Sequence, residues 1–376
     1  MKQVFTVSLI FISMYGCNIK NSQSDTDKVV IFVDDKDLEK TAYTSDIIDT
    51  STVEFICLEI TPEIIGSVDK LIITDDKFII LDKTTKSIWI FNTHGEYLNR
   101  INAQGRGPNE YVNLHTIAFK KPNLIGILDD GKRKIVWYNT IGDFIYSEEV
   151  PYAACDINFR DGCLSIMYRY IPNTAPSSEK YYYHLNNVGN NSSTHFFPYY
   201  QFGLFFGVND PIFISNDSEL LIRNPFTTSL YSIEDQRLVE KYDFDFKKPL
   251  FPYNKYKDES SVSVINRDIK NGSYRGSIER ITFTSSHLAL RYSCSDIMGY
   301  ILYDKNNEKL KVFSGNMSDK FELYYPHPHT AHKDKFYSVL YPFMLLDGMI
   351  ERLGIKGDIE SANPVIMSFK YNEFTQ

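Results

Sequence analysis

The chain has 376 residues, 43% of them hydrophobic and 23% charged, a balance that supports one large or two ordinary globular domains and excludes a disordered chain. Aromatic residues make up 15%, with 27 Tyr and 26 Phe against 19 Gly and 15 Pro, which favours half-buried pleated sheet over helix bundles. The formal net charge of −8 leaves no basic stripe for phosphate-backbone contacts, and nucleic acid is excluded as a partner.

Residues 1–16 read as a secretory leader. Lys2 supplies the positive start, and Val4 to Tyr15 is an uncharged, apolar-rich run too short to span a bilayer. The run stops at Gly16-Cys17, after which the chain turns polar in NIKNSQSDTDK, and this stretch resembles a bacterial lipoprotein signal. That resemblance implies lipidation of Cys17, a tether over 17–28 and a folded body over 29–376. Two or more acyl chains on Cys17 would hold the protein stably at a membrane, which is thus an expected partner. Cys57, Cys155, Cys163 and Cys294 remain, an even number in an oxidising compartment. A tight turn at Arg160-Asp161-Gly162 would set Cys163 opposite a residue near Phe159 and leave Cys155 farther along, so buried free thiols are expected rather than a disulfide framework.

The stretch FIILDKTTKSIWIFNTHGEYL (78–98) aligns without gaps on IGILDDGKRKIVWYNTIGDFI (125–145), an offset of 47 residues. The turn Asn92-Thr93-x-Gly95 falls on Asn139-Thr140-x-Gly142, and returns as Asn186-Asn187-Val188-Gly189 and as Asp304-Lys305-Asn306-Asn307, where Asn307 stands in the glycine's place. Asn or Asp opens such a turn with its side chain, and the fourth residue takes the left-handed backbone that makes a bulged hairpin. Each unit then reads as four short strands, for example VDKLIIT, FIILD, SIWIFN and EYLNRI, which is the blade of a β-propeller at its usual period of roughly 40–50 residues. Equivalent hairpin positions at Phe91, Tyr138, Leu185, Ile233 and Tyr303, with a last blade from Phe336 to Phe374, predict six blades. The polar stretch 247–276 is an insertion before the fifth. The fold class is therefore all-β, a six-bladed propeller of four-stranded antiparallel blades. VEFICLEI (53–60) should pair with PVIMSFKY (364–371) and close the ring, so that no edge strand is left bare.

With its lipoprotein-like leader, the segment QGRGPNEY (104–111) after a blade and the final NPVIMSFKYN, the chain resembles the six-bladed β-propeller lipoproteins of Bacteroidetes, relatives of the NHL-repeat propellers. The resemblance implies the fold and a place in the bacterial cell envelope, as an outer-membrane lipoprotein on its periplasmic or its surface side. It carries over no catalytic residue.

Loops leaving one blade for the next lie on one face, where function usually gathers. There Arg106 and Glu110 are candidates to bind a carboxylate or a sugar hydroxyl, with Tyr111 beside them; alternatively, the two glycines and the proline of this segment shape a tight crossing with Tyr111 packed beneath. Tyr199, Tyr200, Phe205 and Phe206, in HFFPYYQFGLFFG, offer a stacking platform or an interblade core, and Asp210 follows them. Arg275 and Arg280 would complete an anion site with Arg106. His327, His329 and His332 have the chemistry of zinc or transition-metal ligands, although no Glu sits among them as a base.

Phosphate loop, dinucleotide fingerprint, CxxC pair and nucleophile elbow are all missing, so no nucleotide partner is expected and no cofactor is required. The expected function is an envelope-anchored binding module for a glycan, peptide or protein partner. One alternative is a metal-assisted hydrolase or lyase with calcium or zinc in the central channel, held by His327, His329 and Asp210. Another is a structural subunit of a surface complex.

Overall fold

The computed structural model describes residues 28–34, 36, 40–61, 63–169, 181–187, 192–198, 211–224, 227–250, 267, 274, 277–294, 297–317, 325–345, 347–353 and 362–374. Blade 1 is built from strands Lys70–Ile73, Lys77–Asp82, Ser87–Asn92 and Tyr97–Ile101, and blade 2 from Thr116–Lys120, Leu124–Asp129, Lys134–Asn139 and Phe144–Glu149. Blade 3 is Ala154–Arg160, Cys163–Tyr168, Tyr181–Asn187 and Ser192–Pro198; blade 4 is Phe213–Ser215, Leu220–Arg223, Ser229–Glu234 and Arg237–Asp245. Blade 5 is Ser277–Phe283, His287–Cys294, Ile297–Asp304 and Lys309–Phe313. Blade 6 combines Thr330–His332, Lys335–Leu340 and Val365–Tyr371 with the N-terminal strand Ile48–Cys57 as its outermost member. The first strands of successive blades touch in a closed circle, blade 6 against blade 1, and the chain is a six-bladed β-propeller.

Burial explains the residue choice. The two middle strands of blade 1 are packed on both faces by neighbouring blades, and Phe78, Ile79, Ile80, Ile88, Trp89 and Ile90 are all buried. Such strands read as continuous apolar runs rather than alternations. The outermost strand of blade 2 alternates, as expected for one wet face. Ring closure follows the expected pairing, with Val365 opposite Cys57 and Met367 opposite Phe55. The repeat holds at the level of single hydrogen bonds. Asn92 Oδ1 accepts the His94 and Glu96 amides while Asn139 Oδ1 accepts those of Ile141 and Asp143, and Gly95 and Gly142 have φ of 86° and 94°.

Two turns depart from expectation. In blade 5 the left-handed residue is Glu308 (φ 55°) rather than Asn307, because the turn runs one residue longer and Asp304 pairs with Lys309. The glycine-free copy in blade 4 is a two-residue turn with both Asp235 and Gln236 left-handed. The copy at 186–189 extends beyond the described residues. The chain between the expected tether and the closing strand also holds two strands that the repeat does not reveal. Val29–Phe32 adds a fifth, parallel strand to blade 4 along Tyr242–Asp245, and Thr41–Tyr43 runs parallel to Gly315–Met317. The leader, Cys17 and residues 18–27 lie outside the described residues. Among those described, no helix is long and apolar enough to cross a membrane. Cys57, Cys155 and Cys163 are free thiols as expected but not buried ones, Cys57 being exposed and the other two half-buried, with Cys163 opposite Arg160 and the Cys155 thiol turned to the Met167 carbonyl.

Candidate functional site

Each blade's first strand pairs with a partner on one side only, so its other edge of amides and carbonyls faces the ring axis. Six such edges enclose an axial cavity of about 650 Å³, well within the size of small-molecule sites, roughly 300–1,000 Å³. All six blades contribute to its wall, through Ile72, Phe119, Asn158, Ser215, Thr282 and Thr330 among others. The turns joining first to second strands, Thr74–Asp76, Arg160–Gly162 and Ser215–Asp217 among them, form its mouth.

Toward the other end the channel is crossed by an ion pair. Lys70 Nζ of blade 1 reaches Asp156 Oδ1 of blade 3 at 3.3 Å, and also contacts Thr116 Oγ1 of blade 2 at 3.4 Å. Asp156 Oδ2 accepts the amides of Ile212 and Phe213 at 2.8 and 3.0 Å, which ties in blade 4. A carboxylate with these partners is satisfied although buried, and one side chain joins four blades. At the mouth His332 Nδ1 lies 3.0 Å from Asp217 Oδ2 and its Nε2 3.5 Å from Asp75 Oδ1. Lys333 Nζ sits 2.7 Å from Asp75 and holds that carboxyl below the usual carboxylate range.

The loop 104–111 is at the opposite end from this mouth and contributes nothing to the cavity wall. Its glycines and proline shape a crossing: Glu110 Oε2 accepts the Gly107 amide at 2.6 Å, and Lys132 and Lys134 donate to the Gly107, Glu110 and Pro108 carbonyls. Tyr111 is fully buried, and its hydroxyl donates to the Lys86 carbonyl. A Cβ at Gly105 would lie 2.0 Å from Glu110 Oε2, so a larger residue there would have to displace that carboxylate from the Gly107 amide. Arg106 is exposed at this end.

The three histidines are separated in role. His327 donates through Nε2 to the Arg280 carbonyl at 2.6 Å and stacks on Tyr300, and burial pulls its pKa down to about 3. His329 Nδ1 accepts the Val339 amide at 3.2 Å, and the residue lines the cavity and is exposed there; desolvation and the Arg280 cation lower its pKa to about 4. His332 belongs to the charged mouth. Among the described residues no three His, Cys, Asp or Glu side chains form a set that could hold a metal. Arg280 is exposed, on the bulged first strand of blade 5. Tyr199, Tyr200, Phe205, Phe206, Asp210 and Arg275 lie outside the described residues. The front of that aromatic stretch packs within blade 3, with Phe196 5.3 Å from Tyr183, and against blade 4, with Phe197 5.2 Å from Tyr231.

Sequence reasoning passed over Asn158, Ser215 and Thr282, which the ring brings to the cavity. Thr282 Oγ1 and Asn158 Oδ1 are buried without a hydrogen-bond partner. The signal was thin: Asn158 and Thr282 stand in first strands, ACDINFR and SIERITF, that hold other polar residues as well, and nothing in the spacing marks the one that reaches the cavity.

Curated proteins give no match to this chain. Among solved structures, a Bacteroides fragilis NCTC 9343 protein described as exported aligns over 92% of this chain and 100% of its own, with a TM-score of 0.70 and 16% identity. A DUF4221 family member from Bacteroides vulgatus ATCC 8482 aligns over 85% of this chain and 98% of its own, with a TM-score of 0.51 and 10% identity. At these identities both likenesses concern the fold. Residues 28–370, the whole ring to within one residue of the end of its last strand, match the family described as a domain of unknown function, DUF4934, and to that family this chain belongs.

Proposed function

We propose that this protein is an exported, envelope-anchored binding module, lipidated at Cys17, that holds a small ligand or the end of a glycan or peptide in its axial cavity. The cavity carries the reading: six sequence-distant strands wall one space of ligand size, and residues lining it hold buried, unpartnered polar atoms at its wall. Export is supported by the apolar leader ending at Gly16-Cys17 and by a fold neighbour described as exported.

Ser215 is exposed at the mouth, so Ser215→Trp should plug the cavity without touching the core. In a calorimetric screen of soluble saccharides and short peptides, S215W should lose at least tenfold in affinity at an unchanged unfolding midpoint. Arg106→Ala, at the far end, should bind as the parent does. Undiminished binding in S215W together with loss in R106A would move the site to the loop 104–111 and overturn this assignment.

A further inference from the structure

We propose that the axial cavity selects an uncharged, hydroxyl-rich ligand, a neutral mono- or disaccharide or a comparable polyol, over anions and cations; this rests on the reading of the cavity as a ligand site. Charge is already cancelled along its wall. Lys70 is paired with Asp156, Arg160 with Asp161 and Asp75 with Lys333, whose amide donates to Asp217, and the His332 ring lies between Asp75 and Asp217. Arg160 further donates to the Asn216 and Asp217 carbonyls at 3.0 and 3.2 Å. Asp76 pairs with Lys77. Lys121 is exposed at the mouth, and its charge acts on Asp75. An ion entering this space loses hydration and meets no uncompensated counter-charge, which makes its transfer costly.

Apart from His332 Nε2, which lacks a hydrogen-bond partner and faces Asp75 Oδ1 at 3.5 Å, what the cavity wall leaves unsatisfied is neutral. The Thr282 hydroxyl, on a side chain 3% exposed, and Asn158 Oδ1 have no partner, and they come from blades 5 and 3. The six strand edges add uncharged amides and carbonyls in both senses. A hydroxyl both donates and accepts, so a polyol can match such a mixed lining without bringing charge. Ile72, Phe119 and Phe159 are partly exposed there and give the C–H face of a sugar ring an apolar wall. A site built to hydrogen-bond hydroxyls rejects ligands that cannot satisfy it.

The test uses the leaderless chain from residue 18 and matched probes in calorimetry: glucose, galactose, N-acetylglucosamine and their disaccharides, against glucuronate as the anion and glucosamine as the cation. At least one neutral sugar should bind, and its charged analogues should bind tenfold or more weakly. Thr282→Val, which keeps the shape, and Asn158→Leu should each weaken that sugar about tenfold, while Thr282→Ser restores it; the S215W protein should bind none of the probes. Glucuronate or glucosamine binding as tightly as the neutral sugar, with loss in S215W, would overturn the ligand class and leave the cavity site standing. Sugar binding that persists in S215W would overturn the cavity site itself. Absence of binding by every neutral sugar, with short peptides still captured and displaced by S215W, would likewise overturn the class alone.

Discussion

Asp82 is fully buried at the end of a strand and accepts the Gly66 amide at 2.8 Å, the Thr85 amide at 3.0 Å, the Thr85 hydroxyl at 2.6 Å and Trp89 Nε1 at 3.2 Å. Its repeat-mate Asp129 does the same for Val112 and Asn113, so each carboxylate pins the loop that enters its own blade. Burial pushes the Asp82 carboxyl up, but the Thr85 and Gly66 donors outweigh it and hold it below the usual range. Asp82→Asn keeps the shape and sets an NH₂ against those donors. It should cost about 3 kcal/mol in a denaturant titration. The depressed pKa makes this contribution fully present above about pH 4, and it is lost as pH falls through the lower folded value. His327 acts earlier on the acid side. Burial lowers its folded pKa to about 3 against an unfolded value near 6.5, so protonation favours the unfolded chain and stability declines from about pH 6.5 downward. His327→Gln, which can still donate to the Arg280 carbonyl, should show a shallower loss of stability between pH 6.5 and 4.5.

At the scale of single elements, the hairpin glycines share a backbone and differ in surroundings. Gly95 (φ 86°) has the Cys57 carbonyl 2.4 Å from where a Cβ would be, because the blade 1 hairpin lies against the closing strand of blade 6. Glu59 donates to the Gly95 carbonyl at 2.8 Å across the same contact. Gly162 (φ 75°) has nothing within 4 Å. Gly162→Ala should therefore cost only the left-handed backbone, about 1 kcal/mol, whereas Gly95→Ala adds a clash with main chain and should cost more than about 2 kcal/mol. Equal losses in thermal unfolding would show that contact with the closing strand adds nothing. The hairpins were legible in the sequence because Asn and Gly act within five residues of one another. The strand Val29–Phe32 was not, since VVIF carries no turn chemistry to name its partner, and its parallel neighbour lies more than two hundred residues away.

For the whole molecule, stability depends on ring closure. A chain beginning at residue 48 keeps the outermost strand of blade 6 and loses the two parallel strands and the short helix Thr44–Ile47. It should unfold cooperatively at a moderately lower denaturant midpoint. A chain beginning at residue 58 strips the partner of Val365–Tyr371 and bares an apolar edge, so it should lose its cooperative transition or aggregate. Blade number, strand order and the closing pair could be read from the sequence alone, because burial on both faces and turn geometry are local constraints repeated at a fixed period. The axial cavity could not. Lys70 and Asp156 are 86 residues apart, and His332 meets Asp75 and Asp217 from distant blades. Which small polar residue turns to the axis, and which charges cancel there, is settled by how six blades are arranged around that axis; no spacing along the chain records it.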